Sequence, residues 1–252
     1  TERRGITSYP IHIKIDTGMH RLGFQPSDIP AVCERLKEQS GVVVRSVFSH
    51  LVGSDSYIFD EFTHKQLDTF AEVTSILEAG LEYKVIKHIL NSAGIERFTD
   101  YQMDMVRLGI GLYGVSASGQ KGLRNVSTLK TTILQIQNVP EGDSIGYSRM
   151  SYVKRDSRIA IIPIGYADGL DRHFSNGGGE VLVNGHRCPI IGNICMDACM
   201  IDVTDIDAQE GDPVIIVGDD LPVSELSDKL KTIPYEILTS VSRRVKRVYY
   251  RE

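Results

Sequence analysis

Alternation between strand-like and helix-like segments over the first 113 residues is the strongest constraint on what this chain can fold into. Residues 11–15 (Ile-His-Ile-Lys-Ile) read as a short strand followed by a Gly-containing loop. Ser27-Asp28 then predicts the cap of a helix carrying Ile29, Val32 and Leu36 on one face. Residues 42–48 form a second buried strand. A long helix follows, with Phe62, Phe70, Val73 and Leu77 inward and Gly80 as its stop. Residues 85–90 are a third strand, ending in Asn91-Ser92-Ala93-Gly94, which reads as a strand-to-helix turn, and residues 105–113 a fourth. This order implies right-handed parallel β/α units.

The pattern changes near residues 115–127, a stretch rich in Ser, Gly, Lys and Asn, and we place a boundary between 120 and 121. Beyond it, Leu134-Gln-Ile-Gln alternates with period two, and Asn184-Gly185 between two apolar runs is a hairpin signal. Further β runs are expected at 158–164, 199–203, 214–217 and 241–250, interrupted by one helix near 223–231. The expected architecture is α/β plus β, with domains 1–120 and 121–252. A full (β/α)8 barrel takes roughly 250 residues. Four strands in half that length therefore amount to a partial TIM-type barrel or an open parallel sheet. The chain opens in mid-pattern without Met, as a truncated or processed chain would.

Composition narrows the function classes. Lys plus Arg number 28 against 33 Asp plus Glu, a net charge of -5 that argues against general nucleic-acid binding. No apolar run approaches the roughly eighteen residues of a membrane span, and no signal-like segment opens the chain. Cys33, Cys188, Cys195 and Cys199 make no CxxC pair, which points to a reduced, cytoplasmic chain.

Several motifs carry possible chemistry. Amides at Asn91-Ser92-Ala93-Gly94, with the Ser92 hydroxyl, could cradle a phosphate or simply cap a helix. Arg107-Leu-Gly109-Ile110-Gly111 adds a cation and bare amides, and barrel phosphate sites favour the loops after the last strands. Asp16 to Arg21 and His50 end the first two strands, where barrel chemistry is located; a turn and a core-edge histidine are the plainer readings. Asp168 and Asp197 are a possible carboxylate pair. Cys195 and Cys199 lack partners at zinc-like spacing, so no metal is expected.

Taken together, six motifs occur in one order: Lys14-Ile-Asp-Thr-Gly-Met-His-Arg21-Leu-Gly, Phe48-Ser-His50, Asn91-Ser92-Ala, Met105-Val-Arg107-Leu-Gly-Ile-Gly-Leu-Tyr-Gly114, Pro163-Ile-Gly-Tyr166-Ala-Asp-Gly169 and Gly192-Asn-Ile-Cys195-Met196-Asp197. That order resembles the alanine racemase family of fold-III pyridoxal-phosphate enzymes, from Ile11 to Glu252. The resemblance implies the last four β/α units of a pyridoxal 5'-phosphate-binding barrel followed by a β-rich domain. It also implies a homodimer with shared sites, and interconversion of L- and D-alanine by two bases to supply D-alanine for peptidoglycan. Ser92, the amides of Gly109 and Ile110, and Tyr235 would hold the cofactor phosphate, with Asn91 alongside. Arg107 would face the pyridine nitrogen. Arg21 and the Met196 amide would hold the substrate carboxylate. Tyr147 would be one base, supplied across the dimer interface, with His50 in its network. Tyr166 and Arg172 would line the entrance, and Lys14, carbamylated in some relatives, would position Arg21.

The family's cofactor lysine lies in a Lys-Ala-Asn-Ala-Tyr-Gly-like stretch that these residues lack, so the chain alone is expected to be inactive. Two other readings remain. A fold-III amino-acid decarboxylase would place an acid, not Arg107, at the ring nitrogen; a remnant that only dimerises or binds phosphate would turn nothing over.

Overall fold

Three short strands open the fold: β1 (Tyr9–Lys14), β2 (Val42–Phe48) and β3 (Ile86–His88), paired in parallel in that order. This computed structural model describes residues 4–250, and the chain divides into two units, Thr1–Leu123 and Arg124–Glu252. Helices α1 (Ile29–Lys37), α2 (Asp60–Leu81) and α3 (Ser92–Arg97) follow the three strands in turn. Ile11 pairs with Val44 but His12 with Ser46, so Arg45 is an extra residue, a bulge in β2. Val44 and Val47 consequently both face the helices, in one core with Ile13, Ile15, Ile29, Leu67, Phe70, Leu77 and Ile89. The opposite face carries His12, Ser46, Phe48 and His88: the His12 and His88 rings both bond the Ser46 hydroxyl, and Phe48 stacks on His88.

Three expectations for this unit need correction. The fourth strand, 105–113, does not form. The amides of Asp104 and Arg107 donate to Lys87 O (3.2 Å) and Leu90 O (3.0 Å), so the segment runs alongside the third strand without building a ladder. Gly109 then turns away, and Ile110–Tyr113 is a 3₁₀ turn closed by Gly114 at φ 79. The competing bonds come from Ser92, whose hydroxyl captures the Gly109 and Gly111 amides. Nor does Gly80 stop α2. The helix ends with Glu82 in the left-handed region (φ 63), while a Cβ on Gly80 would lie 2.5 Å from Cys33 Sγ. Close packing of α1 on α2 is what requires that glycine. Phe62 is 39% exposed rather than inward and lies against Gly18, where a Cβ would meet its ring at 2.9 Å.

In the second unit, β4 (Leu129–Thr132), β5 (Gln135–Val139), β8 (Ser157–Ile162), β9 (Glu180–Val183), β10 (His186–Ile191), β11 (Cys199–Asp202) and β12 (Pro213–Val217) form an antiparallel seven-stranded sheet, order β4-β12-β9-β10-β11-β8-β5. A separate pair joins β6 (Ser144–Ile145) to β7 (Ser151–Tyr152). The β9–β10 hairpin turns on Asn184 (φ 50) and Gly185 (φ 79), the two positive φ values that a type I′ turn requires. Two helices follow, α4 (Val223–Leu230) and α5 (Pro234–Ser240), where one was expected. Residues 241–250 are not a strand; Arg247 donates to the carbonyls of Val241, Ser242 and Val245, diverting acceptors that a ladder would use. Among the described residues no helix is long and apolar enough to cross a membrane.

Candidate functional site

The loops that leave β1, β2 and β3 carry Arg21, His50 and Asn91, with Ser92 next at the start of α3. Buried Asp16 folds the first loop: its Oδ1 accepts the amides of Gly18 (3.0 Å), Met19 (2.9 Å) and His20 (3.0 Å). Burial pushes its carboxyl up, but these amides and the His20 charge outweigh it and hold the group below its ordinary value. Arg21, exposed, lies just beyond. Gln66, fully buried on α2, ties this loop to the next by donating to Thr17 Oγ1 and His50 O (both 3.1 Å) and accepting the Val52 amide (3.0 Å).

Arg107 is clamped by backbone. Its Nη1 donates to His88 O (3.1 Å) and to His88 Nδ1 (2.6 Å), and its Nη2 to Ser49 O (2.6 Å) and Ile89 O (3.2 Å), with His50 Nδ1 at 3.5 Å. Burial, reinforced by Arg107 and His12, drives the His88 pKa down to about 4. His50 is also lowered, by burial and then by Arg107, Arg21 and Lys14. Both imidazoles are neutral at pH 7, and the cationic charge rests on Arg107, with Arg21 and Lys14 close enough to act on His50.

Ser92 organises the third loop. Its Oγ accepts from the Gly109 amide (2.8 Å) and the Gly111 amide (3.2 Å). With the oxygen occupied as acceptor, its own O–H is the group left to present, a donor suited to an anion. Asn91 caps α3: its Oδ1 accepts the Gly94 amide (2.9 Å) and the Ser54 hydroxyl (2.8 Å). The Gly109 amide, a candidate phosphate contact, is thus engaged by Ser92 here. A Cβ on Gly111 would lie 2.8 Å from Leu108 and 3.6 Å from Ser92 Oγ, so the bare backbone keeps this cradle open. A hydroxyl donor on a cradle kept open by glycine fits a phosphate-bearing group.

Five candidates belong to the second unit: Tyr147, Tyr166, Arg172, Met196 and Tyr235. The Tyr166 and Met196 loops are zipped together, with the Tyr166 amide donating to Cys195 O (3.1 Å) and the Ala167 amide to Met196 O (2.9 Å). Only glycine fits between them, because a Cβ on Gly165 would sit 2.3 Å from Cys195 O. Tyr147 joins the same segment through its carbonyl, which accepts from Asn193 Nδ2 (3.0 Å). Exposed Arg172 opens a 3₁₀ turn, and Tyr235 lies in the first turn of α5. Asp168 is committed locally, to the Gly165 amide (3.0 Å) and Arg244 (3.0 Å). Burial pushes the Cys199 thiol up to about 12, leaving it inert.

The sequence matches two family descriptions, alanine racemase N-terminal domain over residues 2–117 and alanine racemase C-terminal domain over residues 126–249. It is 38% identical over 251 residues to alanine racemase of Desulfovibrio desulfuricans, covering 97% of this chain and 67% of that protein. The chain belongs to the alanine racemase family. Alanine racemase 2 of Caldanaerobacter subterraneus subsp. tengcongensis is 41% identical over 249 residues, and this chain spans 64% of its length. The crystal structure of Bartonella henselae alanine racemase with covalently bound pyridoxal phosphate superposes with TM-score 0.88 at 34% identity, covering 99% of this chain and 68% of that one. The alanine racemase fold here comprises the parallel three-stranded half-barrel sheet and the mostly-β domain after it.

In this chain the supporting residues are those that motif reading passed over. Gln66 occupies the buried face of α2 beside Leu67 and Phe70, and a polar residue there was a usable signal. His88 stands on a strand face with Ser46, visible only once the bulge is known. Asn193 lay inside a quoted motif, with nothing local to mark it.

Proposed function

We propose that this chain acts in an alanine racemase that interconverts L- and D-alanine with pyridoxal 5'-phosphate. The carrying observation is the setting of Arg107: its guanidinium is held by three backbone carbonyls and two neutral histidines, in the same unit as the Ser92–Gly109–Gly111 cradle. The covalently bound pyridoxal phosphate of the Bartonella henselae enzyme supports the cofactor assignment. When bound, the cofactor supplies an electron sink that acidifies the Cα proton.

The chain's own residues bind and orient the reacting groups and supply one of the two bases. The Ser92 hydroxyl, the Gly109 and Ile110 backbone and Tyr235 would hold the phosphate, with Asn91 fixing the turn beneath. Arg107 would face the ring nitrogen; a guanidinium is a poor proton source, so the ring would stay weakly electron-withdrawing and side reactions would be suppressed. That setting disfavours the decarboxylase reading, which calls for an acid there. Arg21 and the Met196 amide hold the substrate carboxylate, Lys14 supports Arg21, and Tyr166 and Arg172 line the entrance. Racemisation takes a proton from one face of Cα and returns it on the other, so two bases are required. Tyr147 is the base for L-alanine, contributed by the partner subunit of a cytoplasmic homodimer, with His50 in its network. The parallel unit, residues 1–120, is then part of a (β/α)8 barrel, and residues 121–252 the β-rich domain.

The test is proton exchange in a protein that carries this chain at the length of its relatives. Tyr147→Phe should abolish solvent deuterium exchange into L-alanine and spare exchange into D-alanine. Equal loss on both sides would make Tyr147 structural. The 252 residues alone should not racemise alanine, and turnover by them would place the second base among their own lysines.

A further inference from the structure

Tyr147 sits on a backbone that few residues adopt unaided. Gly146 (φ 72), Ser148 (φ 62) and Arg149 (φ 50) are all in the left-handed region, two of them with side chains that disfavour it. The tyrosine side chain is 71% exposed in this chain, so ring packing within the unit does not set its direction. The backbone beneath it must.

What holds that backbone is a one-way chain of side-chain bonds. Asn193, 8% exposed, donates from Nδ2 to Tyr147 O at 3.0 Å. Its Oδ1 accepts from Asn176 Nδ2 (3.1 Å), whose Oδ1 accepts the Ser151 hydroxyl (2.6 Å), and Ser151 Oγ accepts the Gly192 amide (3.1 Å). Asn176 is itself left-handed (φ 55), with its amide on Gly192 O at 3.0 Å. Arg149 Nε donates to Ser144 Oγ (2.9 Å) on the far flank. The two segments are pressed together: a Cβ on Gly192 would meet Ile145 O at 3.0 Å. Each amide's orientation is dictated by its neighbours, so an oxygen in place of one nitrogen reverses a bond into a repulsion.

We propose that Asn193, oriented by Asn176, is a positioning residue that aims Tyr147 for proton transfer. This rests on the reading of Tyr147 as the base for L-alanine. A misplacement of about 1 Å at a reacting group costs on the order of 10²-fold in rate.

Asn193→Asp is the informative variant. It keeps the acceptor for Asn176 and replaces the donor to Tyr147 O with a carboxylate oxygen. In the 252-residue chain, without cofactor, amide exchange at residues 147–150 should quicken by about tenfold while exchange in β8 and β11 is unchanged. In a protein of the relatives' length, deuterium exchange into L-alanine should fall by roughly 10- to 100-fold and exchange into D-alanine stay within about twofold. Asn176→Asp, which removes the donor to Asn193, should give the same signs and serves if Asn193→Asp does not fold. Unchanged protection at 147–150, or equal loss for both enantiomers, overturns the proposal. Tyr147→Phe separates the failures. L-side loss there but none in Asn193→Asp overturns the positioning role alone; no L-side loss in Tyr147→Phe overturns the base assignment and the positioning role with it.

Discussion

Arg107 Nη1 donates to Nδ1 of His88 at 2.6 Å, and the other ring nitrogen of His88 meets the Ser46 hydroxyl at 3.2 Å. A guanidinium has no acceptor, so Nδ1 is bare and the proton sits on Nε2. Ser46 then passes its own proton toward His12 Nδ1. The charge stays on Arg107, and a neutral tautomer faces it where a carboxylate would have neutralised it.

Acid should therefore weaken the fold early. The unfolded chain protonates His88 near 6.5 and the folded chain only near 4. Between those values the unfolded state binds more protons, so stability falls as pH drops through that window, by on the order of 2 kcal/mol. Asp16 and Glu78, held below their ordinary values of 3.8 and 4.5, add losses that set in as pH falls past those values. NMR titration of the His88 imidazole should show a midpoint near 4, and one above 6 would contradict the buried neutral pair.

Arg107→Lys should destabilise the first unit by roughly 2–3 kcal/mol, because one ammonium cannot span the carbonyls of Ser49, His88 and Ile89 that the planar fork reaches. Urea denaturation measures this directly. An unchanged midpoint would mean the fork contributes no net stability.

Gln66→Leu keeps the helix and the volume but strands the Val52 amide and the His50 carbonyl. Two part-buried backbone groups left without their partner predict a loss of about 1–3 kcal/mol. Amide exchange at Val52 should rise more than at β3, and a uniform rise would show that Gln66 serves the core rather than the loops.

How much of this was legible in the sequence follows the range of the forces involved. The Asn184-Gly185 hairpin and the first three strand-helix units depend on neighbours in sequence, and these appear as read. Residues 105–113 look like a strand locally, but Ser92, seventeen positions before Gly109, takes the amides a strand would use. Residues 241–250 fail for a similar reason, through Arg247. At the site, the motif residues were visible as residue types, whereas Gln66, His88 and Asn193 act by partners 14 to 49 positions away.

Gly165→Ala should be costly wherever activity is measured. Its Cβ would meet backbone, 2.3 Å from Cys195 O and 2.5 Å from Met196 O, and backbone cannot rotate aside. A loss of about 1–3 kcal/mol is expected, with faster amide exchange at Tyr166 and Ala167. A melting midpoint equal to that of the unsubstituted protein would refute the contact.

The extra residue at Arg45 amounts to a change of parity. Before it, even-numbered Val44 faces the helices; after it, odd-numbered Val47 does, and even-numbered Ser46 and Phe48 are turned to the polar face. Removing one residue there would exchange the two sets for the rest of β2. Ser46 would be driven into the apolar layer, and the histidines on either side of it would lose the hydroxyl between them. The alignment of Arg107 with its neutral partner thus depends on a count of residues as much as on any residue's chemistry.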